Sequence, residues 1–382
     1  MKKALHLFAT LVLLCVFSPT LAQQSTTNYA TYGDFTLNFD CSNVPYNEVF
    51  RIVNHKTKVA TVNGVSYPFI SDVSFIYIDG VHEGGQAGSG FDGLQFGSSD
   101  TTKVFNYNYV IFTKPFAGID SVKVTMRGSY EGGHFFAGYT TDNKTMTRFY
   151  SGSNPDVSPV PATMTEYPFR IVGGAANVTG NLMFKMHSNA KNFYFRVQKI
   201  VVNCEVAAVP DYGFTIAYSN LPVDYEASGL TAYALTLNGT TLSATPVTGV
   251  VAKNCPVLVK ASTAANYPLI TSLTETGDDV DTSLRMSDGT ITSDGSTYYV
   301  LDNGSQGVGF YRLDKFAVVG KGKAYIIVDG AGDFIALPET TGISMTKTDK
   351  VNSNAAYNLA GQRVNDSYKG VVIRNGKKYI NK

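Results

Sequence analysis

Tryptophan is missing from this 382-residue chain, and only four cysteines and five histidines are present. No C-x-x-C pair occurs and no two histidines lie one helical turn apart, so zinc ribbons, zinc-protease helices and dithiol redox motifs are excluded. A G-x-S-x-G elbow, a P-loop and an EF-hand loop are also lacking, which removes common signatures of hydrolases, nucleotide enzymes and calcium sensors. Charged residues are scarce at 16%, and the periodic Glu, Lys, Leu and Ala faces of long amphipathic helices do not occur. After residue 17 no apolar run is long enough to cross a bilayer as a helix. Glycine (36), tyrosine (24) and phenylalanine (23) are plentiful instead, a usage that suits β-sheet with glycine-rich turns.

The chain opens with Lys2 and Lys3, an apolar run from Ala4 to Phe17, a break at Pro19 and small residues ending at Ala22. This order predicts a secretory signal peptide over 1–22, cleaved after Ala22, and a secreted or cell-surface protein with no transmembrane segment in the mature chain. Cys15 lies inside the apolar core behind Leu13 and Leu14, where a lipoprotein site would need small residues. Without Lys2 and Lys3 the 31 basic residues fall to 29, against 30 acidic ones. So even a balance argues against nucleic acid or an anionic membrane as partner.

The mature length predicts two domains and a small tail. After a flexible lead, 23–33, short alternating runs separated by Gly, Asn, Asp and Pro fill the region 34–206. Examples are VFNYNYVIF (Val104 to Phe112), SVKVTMR (Ser121 to Arg127) and NFYFRVQKIVV (Asn192 to Val202). In the last, Phe193, Phe195 and Val197 oppose Tyr194, Arg196 and Gln198. That period of two predicts sheets with one buried face, hence an all-β chain beginning with a jelly-roll-like β-sandwich. A second β-rich domain is predicted over 212–338. Within it VVAKNCPVLVK (Val250 to Lys260) lies over VVGKGKAYIIV (Val318 to Val328), and Leu269 over Leu337 at the same offset, the pattern of a duplicated turn and strand. The polar stretch 339–354 reads as a linker to a β-meander tail over 355–382, in which Asn375-Gly376 is a hairpin turn.

Three cysteines survive cleavage. Cys41 and Cys204 sit at the ends of candidate terminal strands of the first domain, and export permits a disulfide between them. Two free buried thiols are the alternative. Cys255 reads as a small buried hydrophobe.

The tail carries Tyr357, Asn358 and Leu359, then Gly361 to Val364, Lys369-Gly370, an apolar strand and Asn375 to Lys378. In that order it resembles the C-terminal sorting domains of proteins exported by the type IX route in Bacteroidetes. The segments AKNCPVLVKA, TYYVLDNGSQGVGFYRL and GKGKAYIIV are similar to the β-rich module that often precedes such tails. The resemblance implies export machinery acting through 1–22 and 355–382, and it implies no activity. Asp100-Thr101-Thr102 and Asp120-Ser121-Val122 resemble the O-glycosylation acceptors of exported proteins in the same group.

No catalytic residue, metal ligand or cofactor motif stands out. His82-Glu83 begins HEGGQ, but Gln86 occupies the second histidine position and the glycines break a helix. Asp279 and Asp281 in GDDVDTS lack the Gly and Glu of a calcium loop. The segment Gly128 to Phe149 is the candidate ligand site. It brings Tyr130, Glu131, His134, Phe136, Tyr139 and Arg148 to one loop and its flanking strands, mixing flat apolar faces with directional polar groups. Sugars present an apolar C–H face edged by hydroxyls, so this mixture fits a glycan or another surface ligand. The competing reading puts the aromatics in the core. The sequence favours a non-enzymatic binding protein over a secreted hydrolase with a dispersed site or an adhesive envelope component.

Overall fold

The computed structural model describes residues 29–39, 50–52, 57–71, 76–78, 81–82, 93–97, 104–171, 177–191 and 193–338, and the backbone of four short strands between 356 and 381. The signal peptide, Cys41, the glycine-rich loop after His82, the Asp100 triplet and the linker 339–354 lie outside the described residues. All described elements are strands, and among the described residues no helix is long and apolar enough to cross a membrane. The chain is all-β, and its N-terminal part is a sandwich.

Alternation builds the sandwich. Along Ser121–Gly128 every second residue is buried, and Val122, Val124 and Met126 are fully inaccessible. Strand Tyr194–Val209 is the centre of the first sheet. Ser121–Gly128 and then Thr165–Arg170 lie along one edge, while Leu94–Gly97 and Tyr32–Asn38 lie along the other. The second sheet runs from Phe50–Ile52 through Thr57–Val62, Val65–Ser71, Val104–Phe112 and Val178–Lys191 to His134–Thr140 and Thr147–Arg148. Phenylalanine fills the space between them. Phe39, Phe69, Phe112, Phe116, Phe135, Phe149, Phe169 and Phe193 are among the largest fully buried side chains, and each contributes about 1.5–3 kcal/mol by leaving water.

The long strand does not stop at the end of the sandwich. Past Val206 it continues to Val209, and this last part pairs with Ala265–Pro268. The second β-rich region therefore grows from the same strand. Its first sheet, ordered Phe214–Ala217, Val257–Lys260, Thr231–Asn238 and Thr241–Val247, is buried on both faces. Ala217, Ala232, Val257 and Val259 face Ala207, Val209 and Tyr267. Tyr233, Leu235 and Leu258 face the other way, toward Tyr299, Phe310 and Ile326 of a five-stranded sheet. Burial on both sides explains the unbroken apolar run of VLVK.

The two facing sheets are structural copies. Ala217 pairs with Val257 as Arg285 pairs with Tyr325, 68 positions on at both places, and Asp224 pairs with Val250 as Thr292 pairs with Val318. The Asn254 N–H donates to the Ser219 carbonyl at 2.8 Å, and the Gly322 N–H to the Ser287 carbonyl at 2.8 Å. Both turn residues have positive φ, 66° and 75°. The hairpins Thr231–Val247 and Tyr298–Arg312 correspond at a spacing shorter by two, with Asn238 opposite Thr241 and Gly304 opposite Gly307.

The expected Cys41–Cys204 disulfide is not borne out, Cys41 itself lying outside the described residues. Cys204 is a free, fully buried thiol. It stands opposite Gly33, whereas Phe39 reaches the strand at Gln198. Ser121 of the second acceptor-like triplet is half-buried and paired on both sides, with Arg170 and Asn203. The tail forms a small sheet in the order Arg363–Val364, Ala356–Tyr357, Gly370–Arg374, Lys377–Asn381.

Candidate functional site

Five of the six candidate residues divide between the two faces of one strand and the loop before it, and Arg148 lies on the neighbouring strand Thr147–Arg148. In His134–Thr140, Phe135 and Ala137 point into the sandwich core. Tyr139 shares their face and packs nearly parallel on the buried Phe149, 5.8 Å away. Tyr139 is thus half-buried against the core. His134 and Phe136 lie on the opposite face, where Phe136 is nonetheless buried, and Arg148, opposite Gly138, shares that side. Tyr130 and Glu131 are exposed in the preceding loop, with the Tyr130 ring edge-on to Phe193 at 5.1 Å.

On the outer face His134, Phe136 and Arg148 meet. The Arg148 guanidinium lies 4.6 Å from the Phe136 ring centre, and the His134 ring is nearly parallel to Phe136 at 6.3 Å. Arg148 is placed by the turn before it. Asp142 accepts the N–H groups of Lys144 and Thr145 and the hydroxyls of Thr140 and Thr145, all at 2.8 Å. These bonds hold its carboxyl well below the usual carboxylate range. A charged acceptor in a local turn returns the chain at a fixed angle.

Two residues with no functional role in the sequence reading complete the cluster. Asp156 Oδ2 is 2.8 Å from His134 Nδ1, brought there because Val157 and Val160 bridge to Phe135 and Gly132. His187 stands opposite His134 on the neighbouring strand, ring centres 5.6 Å apart. Lys185 stands opposite Phe136 in the same register. For His187 a signal existed, since it shares an alternating face with Lys185. Asp156 reaches the site only through loop folding.

With Nδ1 held by Asp156, the His134 imidazole has a fixed orientation and presents Nε2 to a ligand; its side chain is 41% exposed. The arrangement offers a cation, an oriented imidazole and a carboxylate around the buried Phe136 ring, while the exposed Tyr130 packs on Phe193 in the preceding loop. Among the described residues no hydroxyl or thiol is bonded to His134, so no nucleophile–base pair is assembled. No group of three metal-ligating side chains occurs among the described residues.

No protein-family model matches the chain, and no curated protein matches it. Among solved structures it is similar to a family two carbohydrate esterase from Cellvibrio japonicus, at 10% identity and a TM-score of 0.21. That likeness covers 47% of this chain and 37% of the esterase chain, and it is too slight to bear on fold or activity.

Proposed function

We propose that this is an exported binding protein whose sandwich holds a carbohydrate at the outer face around His134, Arg148 and Tyr130. The supporting observation is the half-exposed cluster in which Asp156 orients His134 beside the Arg148–Phe136 stack. Sugar hydroxyls need donors and acceptors at fixed angles, and an apolar C–H face needs a ring such as that of Tyr130. Export is supported by the N-terminal signal pattern and by the tail's resemblance to type IX sorting domains. A surface ligand of host or envelope origin then meets the sandwich outside the cell.

A glycan array probed with mature chain 23–382 tests the reading. Binding that falls about tenfold in Arg148→Ala and His134→Ala, the loss of one charge-assisted contact, is the expected result. No binding to any glycan removes the carbohydrate assignment.

A secreted hydrolase is the second reading, favoured by the His134–Asp156 pair, since an imidazole oriented by a carboxylate is the base half of a hydrolytic site. Turnover of pooled esters or polysaccharides that vanishes in His134→Ala would establish it.

A further inference from the structure

A cavity of about 440 Å³ lies where the long strand, the first copy and the second copy meet. Val206 and Ala208 border it from the end of Tyr194–Val209, on the edge opposite Ala265–Pro268. Phe214–Ala217, the edge strand of its sheet, borders it from the other side. These two strands do not pair with each other. Thr31 stands at one end, where its carbonyl accepts the Val206 N–H at 2.8 Å.

The lining is chemically selective. Tyr212 and Tyr218 supply rings, and Leu301, Leu313 and Val319 supply aliphatic surface. The Tyr218 ring is fixed, because its hydroxyl donates to Asn254 at 2.8 Å and Tyr29 packs edge-on against it at 5.4 Å. Lys323 is the one charged residue of the lining, and it is exposed at the rim. Asp302, which acts electrostatically on Tyr212, is exposed and does not line the space. The volume falls within the range of small-molecule sites, which combine apolar walls with a few orienting polar groups.

We propose that this cavity binds a small aromatic carboxylate, its ring between the tyrosines and the aliphatic wall and its acid group on Lys323. The two strand edges meet any ring hydroxyl. Size excludes long polymers, and the single cation favours one anionic group.

Calorimetric titration of mature chain 23–382 with 4-hydroxycinnamate, and with neutral cinnamyl alcohol beside it, tests the proposal. The acid is expected to bind, and Lys323→Gln to weaken it about tenfold, as loss of one charge-assisted contact does. Gly320→Phe provides the second arm. A Cβ there has only Lys323 Cγ within 4 Å, at 3.8 Å, and φ lies outside the left-handed region, so the ring enters the cavity mouth without backbone strain. It is expected to abolish binding while the melting temperature holds. No binding of the acid, equal binding of the alcohol, or unchanged binding in both variants overturns the assignment. Glycan binding at the His134 face is independent of every outcome.

Discussion

Glu205 lies in an otherwise apolar run and is 2% exposed. It accepts the Ser219 hydroxyl at 2.5 Å and the Tyr32 hydroxyl at 3.3 Å, so one carboxyl links the first strand, the long strand and the second region. Gly118 makes room for it: a Cβ there, at φ +58°, would stand 2.8 Å from the Glu205 side chain and 2.9 Å from the Tyr32 hydroxyl. Burial raises the Glu205 pKa, and the two hydroxyls only partly offset this. The folded protein therefore holds the proton more tightly than the unfolded chain does. The stabilisation is complete below the ordinary glutamate value, about 4.3, and is lost as pH rises through the folded value. Glu205→Gln has no such proton to lose. Urea unfolding at pH 3, 5 and 7 should find the variant close to the parent in acid and progressively more stable than it toward neutrality. A constant difference at all three pH values would contradict this. Its hydroxyl partners lie 173 and 14 residues away, beyond the reach of any local pattern.

Among the elements, the two copies show how much of a repeat a sequence displays. VLV and YII align by eye because each must fill a strand facing the common core. The serines do not stand out, since YSNL and MSDG share one letter, yet both cap the same turn: the Leu221 and Gly289 N–H groups donate to Ser219 and Ser287 Oγ at 3.0 Å. The positive-φ position is Asn254 in one copy and Gly322 in the other, because both residues tolerate the left-handed region. Gly322→Asn should therefore change stability by less than about 1 kcal/mol, while Gly322→Val should cost about 1–3 kcal/mol through backbone strain. Denaturant titration of both variants checks the contrast, and equal losses would show that contact with the neighbouring Tyr29 governs the position. Strands were the legible elements, and the site loops were not. Tyr139 illustrates the limit: the alternation of HFFAGYT separates its two faces, but which face meets the core is fixed by the opposite sheet.

At the scale of the molecule, the strand Tyr194–Val209 makes the sandwich and the second region interdependent. Val206 and Ile270 belong to the sandwich core, and Ile270 pairs with Phe116. A piece ending at residue 206 loses Ile270 and the pairing with Ala265–Pro268. It should melt below the piece 23–338 by roughly 5 °C or more, followed by the near-ultraviolet signal of the packed tyrosines and phenylalanines. Equal melting temperatures would show that the sandwich stands alone. The sequence alone determined the all-β class and strands such as Val104–Phe112 and Ser121–Gly128, because alternation and turn chemistry act over a few neighbouring residues. The tertiary structure decided which aromatics became core, that Asp156 and His187 join His134, that Cys204 stays a free thiol, and that two strands not paired with each other border a cavity. Those outcomes depend on contacts between residues far apart in the chain, and local pattern carries no record of which distant surface a side chain will meet.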